Sequence, residues 1–123
     1  MGEKPAIGSI GWRDLTVGDA EGVSHFYSEV VGWERREHAM GDYHDFDILD
    51  AEGRTVAGIC HARGPNADLP PQWLLYVTVA DVEASAARCT ELGGKVLDGP
   101  RKMGADDFCV VQDPAGAVLA LIS

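Results

Sequence analysis

The side chains that could act as acids, bases, nucleophiles or metal ligands are few and widely spaced in this chain of 123 residues. The histidines and cysteines are His25, His38, His44, His61, Cys60, Cys89 and Cys109. Because the cysteines are odd in number and form no CxxC pair, we expect three reduced thiols rather than a disulfide framework or a zinc site. The spacing yields no Ser-His-Asp or Cys-His arrangement and no Gly-rich phosphate loop. Motifs therefore identify no catalytic residue.

The overall composition limits the classes of molecule that this protein could bind. Hydrophobic residues make up 46% of the chain and charged residues 24%, which is typical of one soluble globular domain. A formal net charge of −10 repels nucleic acid and anionic membranes, and it attracts cationic ligands. No apolar run approaches the ~20 residues that a membrane span needs, and the first residues do not resemble a signal peptide. We therefore expect a cytoplasmic protein with no nucleic-acid or membrane partner.

The chain contains an internal repeat that predicts how its side chains are positioned. The stretch LTVGD at 15–19 returns as VTVAD at 77–81, which is 62 residues later. Each copy reads as a short strand that ends at an aspartate, a residue type that caps the N-terminus of a helix. A second pair, DAEGRTVAGI from Asp50 and DPAGAVLALI from Asp113, follows at an offset of 63 and reads as a turn before a strand.

A helical pattern follows each capping aspartate. The predicted apolar stripes are Val23, Phe26, Tyr27 and Val30 in the first helix and Val82, Ala86, Cys89 and Leu92 in the second. Gly32 and Gly94 stand at equivalent positions after these stripes and are the predicted terminating glycines.

The chain thus reads as two β-α-β-β-β modules within a single domain, residues 1–123. Module one covers about 6–62, a linker about 62–72, and module two about 72–123. Neither module is large enough to close a core of its own. We therefore expect the two modules to share one sheet system, with both helices on its outer face.

These features resemble the vicinal oxygen chelate superfamily, which includes glyoxalases, extradiol dioxygenases, epimerases, fosfomycin thiol transferases and bleomycin-binding resistance proteins. The resemblance rests on the duplicated modules, on FYSEVVGW at the end of the first helix and on DPAG before the last strand. The stretches GWRDLT, VAGI and LLYVTVADV look closest to bacterial glyoxalase-like proteins. The resemblance implies an α+β fold in which eight strands form an incomplete U-shaped barrel, with the helices outside and a ligand cavity on the concave face. Because relatives usually dimerise, it also implies a homodimer.

The resemblance further implies where a metal would be bound, at one position in each of four strands. Counted from the motifs, these positions hold Trp12, Ala57, Leu74 and Ala120. None of these side chains can bind a divalent cation, and shifting the count by one residue does not restore a set of ligands. We therefore predict no metal and no cofactor. A site assembled from His61 and Asp14 is the remaining alternative for a metal.

Alternation along the strands extends the predicted ligand-binding set on the concave face. The full set is Trp12, Asp14, Thr16, Ala57, Ile59, His61, Leu74, Tyr76, Thr78 and Ala120. Aromatic rings beside a carboxylate suit a flat or cationic molecule, through cation–π attraction and a charge-assisted hydrogen bond. Alternatives stay open, in which Trp12 and Tyr76 fill the barrel and Asp14 pairs with Arg13 or Arg54.

Two further stretches are ambiguous. In YHDFDILD we expect Phe46 and Ile48 to face the core, which leaves Asp45 and Asp47 toward the cavity or the solvent. The stretch DGPRKMGADDF reads either as a flap over a cavity or as an ordinary surface hairpin.

The leading functional hypothesis is a metal-free protein that binds or sequesters a small aromatic or cationic molecule. The alternative is a superfamily enzyme, a glyoxalase-like lyase or a dioxygenase-type member, with a non-standard or metal-independent site that uses Asp14, His61 or Tyr76 as acid and base. A third interpretation is an interaction module with an incidental cavity. One fold hosts many chemistries, so the resemblance supports the fold more strongly than the function.

Overall fold

The computed structural model describes residues 5–123 and confirms the α+β class. These residues form eight strands and two α-helices in two β-α-β-β-β series, as predicted. The strands are β1 (Ile10–Val17), β2 (Glu34–Ala39), β3 (His44–Leu49), β4 (Thr55–His61), β5 (Trp73–Thr78), β6 (Lys95–Met103), β7 (Asp106–Gln112) and β8 (Val118–Ile122). The helices are α1 (Ala20–Val31) and α2 (Val82–Glu91), and a short 3-10 helix (Gly64–Asn66) lies in the predicted linker.

The described chain divides into two compact units, each of which holds one module. Unit one is Arg13–Trp73, and unit two joins the described residues up to Trp12 with Leu74–Ser123. In unit one the strands are ordered β2-β3-β4-β1, with β1 and β4 parallel and the other neighbours antiparallel. In unit two the order β5-β8-β7-β6 repeats this arrangement, with β5 and β8 as the parallel pair. The repeat in the sequence is therefore a repeat of topology.

Both helices begin where the repeated aspartates predict. The Asp19 carboxylate accepts a hydrogen bond of 2.9 Å from the backbone N–H of Gly22. The Asp81 carboxylate accepts bonds of 3.0 and 3.3 Å from the N–H groups of Glu83 and Ala84. These bonds satisfy N–H groups that have no acceptor within the helix, which is why aspartate favours a helix start.

The buried side of α1 differs from the predicted stripe. Ala20 and Ser24 are fully buried, whereas 55% of Phe26 and 64% of Val30 is exposed. Small side chains let this side of the helix approach the strands closely, and the Ser24 hydroxyl accepts a hydrogen bond of 2.7 Å from Arg35. The predicted stripe is therefore correct for Val23 and Tyr27, which are partly buried against the core of unit one, and wrong for Phe26 and Val30. An apolar count assigns every large side chain to the core, whereas the closest contact selects small ones.

The end of α2 also differs in detail from the prediction. Val82 and Ala86 are buried as predicted, but the helix ends before Leu92, whose side chain is exposed. The residue in the left-handed conformation is Gly93, with φ of 92°, rather than Gly94. The terminating glycine of α1 is Gly32 as predicted, with φ of 86°.

Each unit has its own buried apolar cluster, to which its helix contributes. The cluster of unit one contains Leu15, Ala20, Phe46, Ile48, Ala57 and Ile59. The cluster of unit two contains Val82, Ala86, Cys109 and Leu121. Phe46 and Ile48 therefore face the core, and the predicted phase of β3 is confirmed.

The stretch DGPRKMGADDF forms the paired hairpin of β6 and β7, whose register runs from Lys95 opposite Gln112 to Met103 opposite Asp106. The hairpin is therefore confirmed, and its role as a flap over a cavity stays a prediction. Within residues 5–123, no helix is long and apolar enough to cross a membrane. The three cysteines are free thiols, of which Cys109 is buried.

Candidate functional site

An extra residue in β4 changes which side chains share a face in unit one. Ile48 pairs with Ala57, but the next residue of β3, Leu49, pairs with Thr55, so Val56 is an insertion in β4. Such a β-bulge shifts the alternation of a strand by one residue. A count along the sequence from the turn glycine therefore arrives on the opposite face.

The predicted face of Ala57 and Ile59 is corrected by this register. Ile59 pairs with Leu15, and all three residues belong to the core of unit one rather than to a ligand-facing side. His61 follows in the same phase, as the partner of Val17 at the end of both strands. The physical reason is the bulge, which has no equivalent between β7 and β8.

The residue of β4 that corresponds to Ala120 is Gly58. Gly58 pairs with Asp14 across the parallel strands of unit one, as Ala120 pairs with Tyr76 in unit two. Since Asp14 and Tyr76 are equivalent in the repeat, their partners are equivalent as well. The one-residue difference between the two offsets is thus the bulge at Val56.

The side of unit one that faces away from its core carries polar side chains, which we call the acidic face. Register places them in two rows across the strands: Asp14, Gly58, Asp47 and Arg36 in one, and Thr16, Cys60, Asp45 and His38 in the other. Asp45 and Asp47 lie opposite the core, as predicted. Because glycine has no side chain, Gly58 adds no side-chain atom to the first row between Asp14 and Asp47, whose backbones are about 10 Å apart across two strand spacings.

Two basic side chains contact one carboxylate of the acidic face. Arg36 and His38 both contact Oδ2 of Asp47, at 3.3 and 3.4 Å. Burial, and then the negative charges of Asp14 and Asp45, raise the pKa of the Cys60 thiol. The thiol therefore stays protonated at neutral pH and is a weak hydrogen-bond donor rather than a nucleophile.

His61 is held by a carboxylate that sequence reasoning did not assign to it. Oδ1 of Asp45 accepts a hydrogen bond of 2.9 Å from the His61 backbone N–H and lies 3.3 Å from its Nδ1. With the proton on Nδ1, the lone pair of Nε2 is available to accept a proton. Tyr43 meets the imidazole edge to face, with 5.8 Å between ring centres, and the guanidinium of Arg63 lies 3.8 Å from the centre of the Tyr43 ring.

Unit two brings four of the predicted site residues onto one face, which we call the aromatic face. Tyr76 pairs with Ala120, and alternation along β5 places Leu74 and Thr78 on the same side. The ring of Phe108 is stacked on that of Tyr76, with a centroid distance of 5.7 Å and an angle of 29°. Phe108 reaches this face because it pairs with the β8 residue opposite Thr78.

Arg101 is the charged residue of the aromatic face, and sequence reasoning did not single it out. Its Nε and Nη2 lie 3.0 and 2.8 Å from the two carboxylate oxygens of Asp98, and its Cζ lies 4.8 Å from the centre of the Phe108 ring. Hydrogen bonding to Asp98 raises the pKa of Arg101 above its usual value. The signal in the sequence was an Asp and an Arg three residues apart, which is common on any surface.

Most of the predicted site residues are buried side chains. The buried ones are Thr16, Ala57, Ile59, Leu74, Tyr76 and Ala120, and the half-exposed ones are Trp12, Asp14, His61 and Thr78. A ligand can reach only the half-exposed side chains without displacing other groups. On the aromatic face Arg101 joins them, because 30% of its side chain is exposed.

Two cavities lie within single units. In unit two, a cavity of about 550 Å³ is lined by Pro5, Ile7, Thr78, Val79, Ala80, Ala105, Asp106 and Ser123. In unit one, a cavity of about 360 Å³ is lined by Glu37, Ala39, Gly41, Asp42, Tyr43 and His44 at the β2–β3 hairpin. Both volumes are within the range that small molecules fill. Thr78 is the predicted site residue that borders the larger one.

The repeated topology can be compared with known families. Residues 14–122 match the family model described as a glyoxalase-like domain. The chain belongs to the glyoxalase-like domain family. This result confirms the resemblance to the vicinal oxygen chelate superfamily, which the duplicated modules and the DPAG turn had indicated.

Relatives of this glyoxalase-like domain carry several names. The chain is 27% identical over 116 residues to the Mycobacterium tuberculosis (strain CDC 1551 / Oshkosh) protein named "Putative glyoxylase CFP32". It is 29% identical over 119 residues to "Anthracycline biosynthesis protein DauV" of Streptomyces sp. (strain C5). Both matches cover 94% of the chain but only 44% and 41% of these relatives, so the chain spans less than half of their length.

A solved structure supports the same fold. A Streptomyces coelicolor methylmalonyl-CoA epimerase variant in complex with 2-nitronate-propionyl-CoA matches with a TM-score of 0.51 and 17% sequence identity. The match covers 95% of this chain and 97% of the epimerase. At this identity the likeness establishes the fold of the glyoxalase-like domain and leaves its ligand open.

The residues of this glyoxalase-like domain do not fit a divalent metal ion at the four positions that the resemblance implies. With Gly58 in the place of Ala57, those positions hold Trp12, Gly58, Leu74 and Ala120, none of which has a metal-binding side-chain atom. Among residues 5–123, no three His, Cys, Asp or Glu side chains are grouped closely enough to hold one ion. The alternative pair of His61 and Asp14 thus gains no third ligand.

Proposed function

We propose that this glyoxalase-like domain binds or sequesters a small aromatic or cationic molecule and needs no resident metal to do so. The observation that carries the proposal is the chemistry of the four coordination positions, where Trp12, Gly58, Leu74 and Ala120 supply carbon and hydrogen in place of donor atoms. A substrate oxygen has no ion to bind at these positions, so recognition must come from the protein's own rings, carboxylates and hydrogen-bond donors.

The acidic face supports a cationic ligand in particular. Asp14 is half-exposed and pairs across the parallel strands with Gly58, on whose other side Asp47 is the next carboxylate. A ligand ammonium group there gains a charge-assisted hydrogen bond, which is about twice as strong as a neutral one. The net charge of −10 raises the local concentration of any cation, and an aromatic ring on the ligand adds contact area.

The proposal is tested by metal analysis and by binding of a cationic aromatic probe, 1-naphthylmethylammonium. Protein purified without chelator should contain less than a tenth of an equivalent of nickel, zinc, iron or manganese. At one hundred times its dissociation constant the probe should stabilise the fold by about 2.7 kcal/mol, or roughly 10 °C in melting temperature. Asp14→Asn should weaken probe binding at least tenfold, because the charge-assisted bond is lost, whereas Glu91→Gln, at an exposed carboxylate on α2, should leave it unchanged.

Two outcomes would contradict the proposal. One is a stoichiometric metal whose removal abolishes binding, and the other is the absence of binding by any aromatic or cationic probe.

The Asp45–His61 pair favours a second candidate, a metal-independent lyase in which Nε2 of His61 is the base. Turnover of a 2-oxoaldehyde thiohemiacetal in the presence of chelator, lost in His61→Gln, would support that candidate.

A further inference from the structure

We propose that Arg101 is a ligand-recognition residue, and that it donates hydrogen bonds to a carbonyl oxygen carried on a flat, neutral ring. This inference rests on the proposed function and narrows it, because it selects an aromatic ligand with an acceptor oxygen. The residues involved all belong to unit two, namely Arg101, Asp98, Phe108, Tyr76 and Thr78.

The guanidinium of Arg101 is fixed from two directions. In its plane, Asp98 accepts hydrogen bonds from Nε at 3.0 and 3.2 Å and from Nη2 at 2.8 Å. From below, the ring of Phe108 supports it at 4.8 Å, and Phe108 is itself stacked on Tyr76. A donor that is already ordered loses little conformational entropy when a ligand binds, so its hydrogen bonds contribute more to affinity.

This arrangement leaves donors free on Arg101. A guanidinium has five N–H groups, and the contacts with Asp98 engage only Nε and Nη2. In the part of the chain that the structure describes, Nη1 makes no hydrogen bond. Because 30% of the side chain is exposed, an incoming acceptor can reach these N–H groups.

The position of Arg101 places these donors on the same face of unit two as predicted ligand-binding residues. Arg101 pairs with Phe108, and Phe108 is linked through β8 to Thr78. Asp98 is linked in the same way through Val110 and Ala120 to Tyr76. The charge of Tyr76 also contributes to the pKa of Arg101, which is consistent with their proximity.

The local charge decides between an anionic and a neutral acceptor. Asp98 neutralises Arg101, so the pair attracts an anion weakly, and the net charge of −10 on the chain repels it. A carbonyl oxygen on a neutral ring meets neither penalty and still accepts from Nη1. The exposed pair of Arg88 and Glu91 differs, because it has a single contact of 3.8 Å. Among residues 5–123, no aromatic ring supports the guanidinium of Arg88, so this side chain is not held in place as Arg101 is.

A matched pair of neutral probes tests the inference. Coumarin and 2H-chromene share a flat bicyclic skeleton, and only coumarin carries a carbonyl oxygen. We expect coumarin to bind about tenfold more tightly than chromene by isothermal titration calorimetry. Arg101→Gln should remove that difference and leave chromene binding unchanged, while Arg88→Gln should alter neither affinity.

The possible results separate this inference from the proposed function. Equal affinity for coumarin and chromene, or an equal loss of both in Arg101→Gln, overturns the role of Arg101, while binding of 1-naphthylmethylammonium keeps the proposed function intact. Failure of all three probes overturns both. Asp98→Asn controls for a folding defect, because it keeps Arg101 and weakens its anchor by removing the charge and one of the two acceptor oxygens. A reduced preference for coumarin at an unchanged melting temperature supports the inference, and an unchanged preference opposes it.

Discussion

At the scale of single residues, the structure reveals interaction partners that the sequence does not. Asp45 and His61 are sixteen residues apart, and their hydrogen bonds exist because β3 and β4 are antiparallel neighbours. Asp98 and Arg101 are close in sequence, but their importance comes from Phe108 on the next strand. In both cases the residue type was visible in advance and the partner was not.

At the scale of single residues, the buried thiol of Cys109 gives a prediction. Burial raises the pKa of Cys109 to about 11, so at pH 8 only about a thousandth of this thiol is ionised in the native protein. Since the thiolate is the reactive form, a variant with Cys60→Ala and Cys89→Ala should react with Ellman's reagent at least a hundredfold more slowly when native than when unfolded in urea. The rate should keep rising with pH beyond 10. A plateau near pH 8.5 would contradict the assigned environment.

Elements behave as predicted where the controlling interaction is local. The aspartates that start α1 and α2 and the glycine that ends α1 act through neighbours within four residues, and all three were predicted correctly. The stripe of α1 and the face of Ala57 depend on contacts with other elements. The stripe was wrong for Phe26 and Val30, and the predicted face of Ala57 was wrong as well. The bulge at Val56 is the sharpest case, because one inserted residue reverses the face of every residue that follows.

The cap of α2 provides a prediction at the scale of the element. Asp81→Ala should lower the free energy of unfolding by about 1 kcal/mol, because two N–H groups at the start of the helix lose their acceptor. Asp81→Asn keeps an acceptor oxygen and should cost less than half as much. Urea denaturation monitored by circular dichroism measures both. Equal losses for the two variants would assign the effect to the charge at the helix terminus instead.

At the scale of the whole molecule, the strong negative charge and the exposed apolar side chains act in opposite directions. Each chain carries a net charge of −10, which opposes self-association. Phe26, Val30 and Val31 are nevertheless exposed by half or more on α1. Exposed apolar groups that cluster on one element favour contact with a partner, and a second copy of this chain is the partner that the resemblance implies.

The predicted homodimer can be measured directly. We expect sedimentation velocity to detect a dimer whose dissociation constant falls several-fold when salt is raised from about 20 to 500 mM, because screening weakens the repulsion between chains. Val30→Glu should favour the monomer, and Leu92→Glu, at an exposed apolar position beyond α2, should not. A monomer at every salt concentration, or equal effects of the two variants, would contradict a dimer built on α1.

The sequence by itself determined the duplicated module, the helix starts, the α+β class and the lack of donor atoms at the positions where relatives hold a metal. These properties depend on residue type and on local spacing, so they can be read along the chain. Only the tertiary structure decided that Gly58 rather than Ala57 lies beside Asp14, that Asp45 holds His61, and that Arg101 rests on Phe108. Those facts depend on strand register, and register is set by packing across the whole sheet, which no short stretch of sequence contains.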